Sequence, residues 1–332
     1  MLSIDRRTFF VGAGSAAIFA SSRAGAAAPE LLVPPADREL RVPVRGGSIF
    51  VRVNGDLKAP RKPIIFVHGG PGGACWQLFP AVPLASERGV ILYDQLDSGH
   101  SDAPGDRANW TIERFASEID GIRAALDIRE FHLLGHSWGG IVAARYAERQ
   151  PGGLRSLIIQ DAPMTADMLT AGLRRHLDLL PPDQRAVALR DMSGKPVSAA
   201  EKPLVEAAAR ALHGKLMYRG AKPRNGVVYM DGTPLDRGDA VGAYMLGEGD
   251  GFAFTGALSS LDETARLGDI VAPTLLLCGQ NDLIPPVEFR KLLPKFRRAI
   301  FTQVADAAHM VQWDQPAAWR AAISTFAGRY DS

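Results

Sequence analysis

Cysteine is nearly absent: the 332 residues include two, Cys75 and Cys278. Two thiols build no disulfide framework, and no Cys/His group has the spacing of a zinc site. Both are expected as buried small residues without a bridge, and no metal or other cofactor is called for. Long apolar runs are missing too. The stretch from Phe9 to Ala20 spans 12 residues, whereas a membrane-spanning helix needs roughly 20, so stable membrane insertion is not expected. Neither G-x-G-x-x-G nor a Gly-Lys-Ser/Thr phosphate loop occurs. Charge is almost balanced, with 38 Lys and Arg against 36 Asp and Glu. No basic field is left to attract nucleic acid. What remains is an ordinary globular composition, 46% hydrophobic and 22% charged, in a chain long enough to bury a large core without staples.

The first residues stand apart. Arg6-Arg7 precede the apolar stretch, and the small residues Ala24-Gly25-Ala26 follow it. A charged region, a short apolar region and a small-residue cleavage site make an export signal, and the paired arginines followed by Phe9-Phe10 are of the twin-arginine type. Residues 1–26 are therefore expected to engage the twin-arginine export machinery and to be removed, leaving a periplasmic or secreted protein. Their loss takes away Asp5, Arg6, Arg7 and Arg23 and brings the formal charge from +2 to zero.

From Glu39 onward the pattern is strand-like. ELRVPV and SIFVRV flank a turn at Arg45-Gly46-Gly47. Short continuous apolar runs follow at 64–67, 90–93, 131–134, 156–159, 274–278 and 299–304. Runs without polar alternation are the mark of strands buried on both faces. Segments with helical spacing lie between them, such as 110–128 with Thr111 as its N-cap. Alternating strands and helices imply a mostly parallel sheet with helices on both faces. The alternation lapses between Met164 and Asp262, a helix-rich stretch broken by Gly and Pro. The expected organisation is a core in two parts, 27–163 and 263–332, with a helical cap, 164–262, inserted over the carboxyl ends of the strands.

The sharpest motif is Gly135-His136-Ser137-Trp138-Gly139. It follows a strand and opens a helix, the setting of the nucleophile elbow in the α/β-hydrolase fold. A serine hydroxyl is a weak nucleophile until a base takes its proton. In this fold the acid and then the histidine follow the serine along the chain. His309, after the last strand, is the histidine able to reach the elbow, since His176 and His213 fall in the cap. Asp282, in the loop after the penultimate strand, is the expected acid. Asp306 is a weaker rival because it would have to fold back within the loop of His309. The oxyanion needs two fixed N–H donors. Trp138 is expected to give one, and the glycine-rich loop after the 64–67 strand the other, through Gly70 or else Gly69. Asp94 and Gln95 are read as braces of that loop, and Asp97 as a solvated turn residue.

HGGPGG, then YDQ with a Gly-Ser turn, then GHSWGG occur in the order and at the spacing that resemble the proline iminopeptidase family of α/β-hydrolases. The resemblance covers most of the chain. It implies a hydrolase core with a helical cap and an acyl-enzyme mechanism that releases an N-terminal residue, often proline, from short peptides or cleaves amino-acid amides. It also implies cap carboxylates that hold the substrate's free amino group. Relatives place one of these in an Asn-Glu-Phe setting, where this chain reads Gly-Asp-Gly-Phe. Glu248, Asp250 and Glu206 are the expected substrate-binding acids on that basis. A second reading keeps the triad but makes the substrate an ester, a lactone or a secondary metabolite. Dehalogenase and epoxide hydrolase chemistry would require Asp at position 137.

Overall fold

The computed structural model describes residues 35–220, 238–247 and 252–332, so the expected export signal lies outside the described residues. Strands β1 (Arg38–Val44) and β2 (Gly47–Asn54) form an antiparallel hairpin whose register sets Val44 opposite Gly47 across Arg45-Gly46. The remaining strands are β3 (Arg61–Val67), β4 (Arg88–Tyr93), β5 (Phe131–His136), β6 (Leu154–Gln160), β7 (Thr274–Gly279) and β8 (Ala299–Val304). They join one eight-stranded sheet in the order β1-β2-β4-β3-β5-β6-β7-β8, parallel from β4 to β8. Each of the six apolar runs falls within one of these strands. Every residue of β4, β5 and β7 is buried, as the absence of polar alternation requires.

Helices cover both faces: α1 (Ile112–Ala125) and α2 (Trp138–Glu148) on one, α9 (Pro316–Ala327) on the other. Side chains of successive strand residues point to opposite faces. Along β3, Ile65 and Val67 therefore join the cluster of Phe115, Ile119 and Ile141, while Ile64 and Phe66 pack with Trp319 and Ile323. Full burial of such a side chain contributes roughly 1.5–3 kcal/mol. Thr111 caps α1 by accepting the N–H of Arg114 at 3.2 Å.

The strand order also positions the site. From β3 the chain moves to β4 on one side; from β5 it moves to β6 on the other. The crevice of an open parallel sheet opens outside the carboxyl ends of two such strands, here β3 and β5. Between β6 and β7 the chain leaves the sheet to form α3 (Ala166–Arg175), α4 (Pro182–Met192), α5 (Lys202–Met217) and α6 (Asp239–Leu246). Its exit and return pair side by side, with an antiparallel bridge between Thr165 and Asp262 and the N–H of Glu263 on the carbonyl of Met164 at 2.9 Å. The insertion has its own apolar cluster, including Leu177, Val187, Leu212 and Phe252. The last elements are α7 (Pro286–Arg290), after β7, and α8 (Val311–Asp314), after β8. Cys75 and Cys278 are buried and unbridged.

Candidate active site

Ser137 joins the last residue of β5 to the first of α2 with φ 54° and ψ −122°. A non-glycine residue there is strained by about 1–3 kcal/mol and persists only where its surroundings hold it. Its N–H donates to the carbonyl of Gln160 at 2.8 Å, and its carbonyl accepts the N–H of Gly140 at 2.8 Å. The flanking glycines are demanded by close approach. A Cβ on Gly135 would lie 2.1 Å from the carbonyl oxygen of Gly139, and one on Gly139 would lie 2.2 Å from that of Val67. Ser137 is half-buried between the buried His136 and Trp138, so the turn exposes the residue that carries the hydroxyl.

His309 and Asp282 meet. The ring Nδ1 of His309 lies 2.6 Å from Oδ1 of Asp282, and both residues are buried. With Nδ1–H donated to the carboxylate, Nε2 is the lone-pair nitrogen. Burial holds the His309 imidazole below its ordinary range, with the Asp161 carboxyl acting the other way. A neutral imidazole at neutral pH is the form that can accept a proton. The loop of His309 docks on the elbow: its carbonyl accepts His136 Nε2 at 3.1 Å, and the two rings lie 5.0 Å apart. Asp306, by contrast, is exposed, and its N–H goes to Gln280.

The glycine-rich loop reaches Ser137 from the other side, since a Cβ on Gly69 would lie 3.1 Å from the Cβ of Ser137. The N–H of Gly69 is already donated to Gln77 Oε1 at 3.0 Å, which leaves Gly70 as the candidate loop donor. Trp138 opens α2, so its N–H has no acceptor within the helix. Asp94 and Gln95 do brace this loop. Asp94 accepts the N–H groups of Cys75 at 2.7 Å and His100 at 2.8 Å. Gln95 donates to the His68 carbonyl at 3.0 Å and accepts Trp138 Nε1 at 2.8 Å, joining both halves of the expected oxyanion hole.

One expectation needs correction. Asp97 is buried, not solvated, because each of its oxygens receives a donor: the N–H of Gly105 at 2.7 Å and Nε1 of Trp110 at 2.8 Å. Donors on both oxygens make burial of a carboxylate tolerable. Glu206 sits on α5 with its side chain 45% exposed and ion-paired at 3.7 Å with Arg210, one turn on. That is a helix-surface pair, and none of its described contacts is with Ser137, Asp282 or His309. Glu248 and Asp250 lie outside the described residues. No three His, Cys, Asp or Glu side chains are grouped as a metal site among the described residues.

The sequence reading missed how the insertion touches the His309 loop. The N–H groups of His309 and Met310 donate to the carbonyls of Leu216 and Met217, at the end of α5, at 3.1 and 2.9 Å. The Asp314 carboxylate clamps the same junction. It accepts the N–H of Ala308 at 2.9 Å on one side and those of Arg219 and Gly220 at 2.9 and 3.2 Å on the other. The histidine and the insertion thus share backbone hydrogen bonds.

A family model described as the alpha/beta hydrolase fold matches residues 62–316. A proline iminopeptidase of Heyndrickxia coagulans is 32% identical over 289 residues, 86% of this chain and 96% of the relative. One from Levilactobacillus brevis is 30% identical over 303 residues, 89% and 97% of the two chains. Among solved structures, the proline iminopeptidase of Mycobacterium smegmatis aligns with a TM-score of 0.78 at 26% identity, covering 89% of this chain and 99% of that one. The chain is a hydrolase of the α/β-hydrolase fold. It belongs to the proline iminopeptidase family.

Proposed function

We propose that this hydrolase uses Ser137 to release an N-terminal proline, or a similar residue, from short peptides or amino-acid amides. The observation that carries the mechanism is the buried 2.6 Å contact between His309 and Asp282, in a loop docked beside the strained serine. His309 Nε2 takes the proton of Ser137 as its oxygen attacks the acyl carbon. The oxyanion is met by the N–H groups of Trp138 and Gly70. His309 then gives that proton to the leaving amine, whose departure leaves the acyl-enzyme. A water, deprotonated by His309, attacks the ester, and the serine recovers its proton.

The family's characterised name supports an amine-reading pocket. Glu248 and Asp250 are the acids proposed to hold the ammonium group; Glu206, paired with Arg210, is the weakest of the three. An ammonium taken from water into a closed pocket requires a paired charge. L-prolyl-β-naphthylamide should therefore be cleaved at least ~10²-fold faster, in kcat/KM, than its N-acetyl twin, a difference of about 2.7 kcal/mol. Equal rates on the two would overturn the aminopeptidase reading in favour of a general ester and amide hydrolase with the same triad.

Export through the twin-arginine machinery is proposed from Arg6-Arg7 and the apolar stretch after them. The mature protein from its native host should begin near Ala27 and be recovered outside the cytosol. An intact Met1 terminus on active cytosolic enzyme would exclude it.

A further inference from the structure

Behind the triad lies a buried acid that the mechanism does not use. Asp161 follows the last residue of β6, is fully buried and has φ 49°. Its Oδ1 accepts the N–H of Gly279, at the end of β7, at 3.0 Å, and its Oδ2 accepts Gln160 Nε2 at 3.0 Å. Its carboxyl also lies against that of Asp282. Asp282 uses Oδ1 on His309, and the backbone N–H groups of Leu283 and Ile284 approach its carboxylate; among the described residues its Oδ2 has no close donor of its own. That atom is met if the Asp161 carboxyl carries a proton.

Two carboxyls in contact cannot both ionise cheaply, and one proton between them turns repulsion into a hydrogen bond. The neighbours decide which acid keeps it. Asp282 faces the ring N–H of His309 and the backbone N–H groups of Leu283 and Ile284, which favour the anion there. Asp161 faces amide donors. Burial, and then the charge of Asp282, raise the Asp161 carboxyl well above the usual carboxylate range. Burial also raises Asp282, to about 7, with the hydrogen bond from Asp161 acting against it. The other titratable groups around the pair are the His309 imidazole, the Cys278 thiol of β7, kept neutral by burial with Arg290 of α7 acting weakly the other way, and His176 of the insertion, which meets the backbone of Asp282.

The pair is not isolated. Gln160 Nε2 also donates to Gln312 Oε1 at 2.7 Å, and Trp319 Nε1 donates to Gln160 Oε1 at 2.7 Å, which fixes the orientation of that amide. Gln312 Nε2 donates to the carbonyl of Gln77 at 3.1 Å, and the Gln77 side chain holds the N–H of Gly69. Buried networks of this kind are rigid when every member is satisfied.

We propose that Asp161 is a positioning residue of the triad: a protonated carboxylic acid that donates its O–H to Asp282 and ties that acid, through Gln160, Gln312 and Gln77, to the oxyanion loop. This rests on Asp282 and His309 acting in the reaction. Asp161→Asn carries no charge and keeps a carbonyl for Gly279 and an N–H for Asp282, while its NH₂ replaces the oxygen that accepts Gln160 Nε2. It should lower kcat/KM less than Asp161→Ala does, because the donor to Asp282 survives, and should leave the acid limb of the pH profile in place. Asp161→Ala removes the donor and should lower kcat/KM about tenfold or more, through kcat and not KM. Infrared difference spectra of wild type minus Asp161→Asn should show the carbonyl band of a protonated carboxylic acid at neutral pH. A missing band, an acid limb moved down by about a unit in Asp161→Asn, or an unimpaired Asp161→Ala enzyme would each overturn the proposal. If Asp161→Ala does not fold, the infrared band decides. That band reads the proton whatever the substrate, so its absence would leave the hydrolase assignment standing.

Discussion

Replacing Ser137 with alanine is expected to lower kcat by about 10⁴- to 10⁶-fold, the cost of losing the nucleophile of a triad, while leaving the fold intact. The elbow explains why the two effects separate. Alanine retains the Cβ, so the strain at φ 54° persists in the variant as in the wild type. The backbone bonds to Gln160 and Gly140 do not involve the hydroxyl. Thermal unfolding should be unchanged while turnover collapses. A fluorophosphonate should add one equivalent to the wild type, map to Ser137, and fail to label Ser137→Ala. Labelling elsewhere, with Ser137→Ala still active, would remove the serine from the mechanism.

The parts of this site that could be read in the sequence are those set by local chemistry. The apolar runs announced the strands because burial on both faces leaves no room for polar alternation. Gly135 and Gly139 flagged the elbow because backbone passes where their side chains would be. Asp282 and His309 stood out by chain order and loop position, and they meet at 2.6 Å. What could not be read depends on partners far along the chain. Asp97 looks like any polar turn residue until Trp110 and Gly105 supply its donors. Gln77, Gln160 and Gln312 form one hydrogen-bonded chain but share no periodicity, and a glutamine carries no mark of its partners. Only Gln160-Asp161 left a trace, as a polar pair closing an apolar strand where a turn alone would be expected. Glu206 shows the converse: an acid in the expected stretch that the helix turns toward Arg210 and solvent.

Asp282→Asn is expected to cost about 10⁴-fold in kcat, roughly 5.5 kcal/mol of transition-state stabilisation. The carboxylate accepts Nδ1–H of His309 and so leaves Nε2 as the base. An asparagine can face the ring with either its oxygen or its NH₂, and its other neighbour decides. If Asp161 donates an O–H to position 282, the amide oxygen turns toward Asp161 and the NH₂ turns toward His309. The ring must then accept at Nδ1 and carry its proton on Nε2, the tautomer that cannot take a proton from Ser137. The pH profile should move in a definite direction as well. Activity rises with pH as the His309 imidazolium loses its proton, and burial already sets that limb below the ordinary histidine range. Removing the adjacent negative charge destabilises the imidazolium further, so the limb of Asp282→Asn should fall lower still while its plateau drops. Asp306→Asn, at an exposed position whose backbone N–H is held by Gln280, should keep wild-type turnover. An Asp282→Asn enzyme of near wild-type kcat, or a limb moved upward, would mean that another acid orients His309.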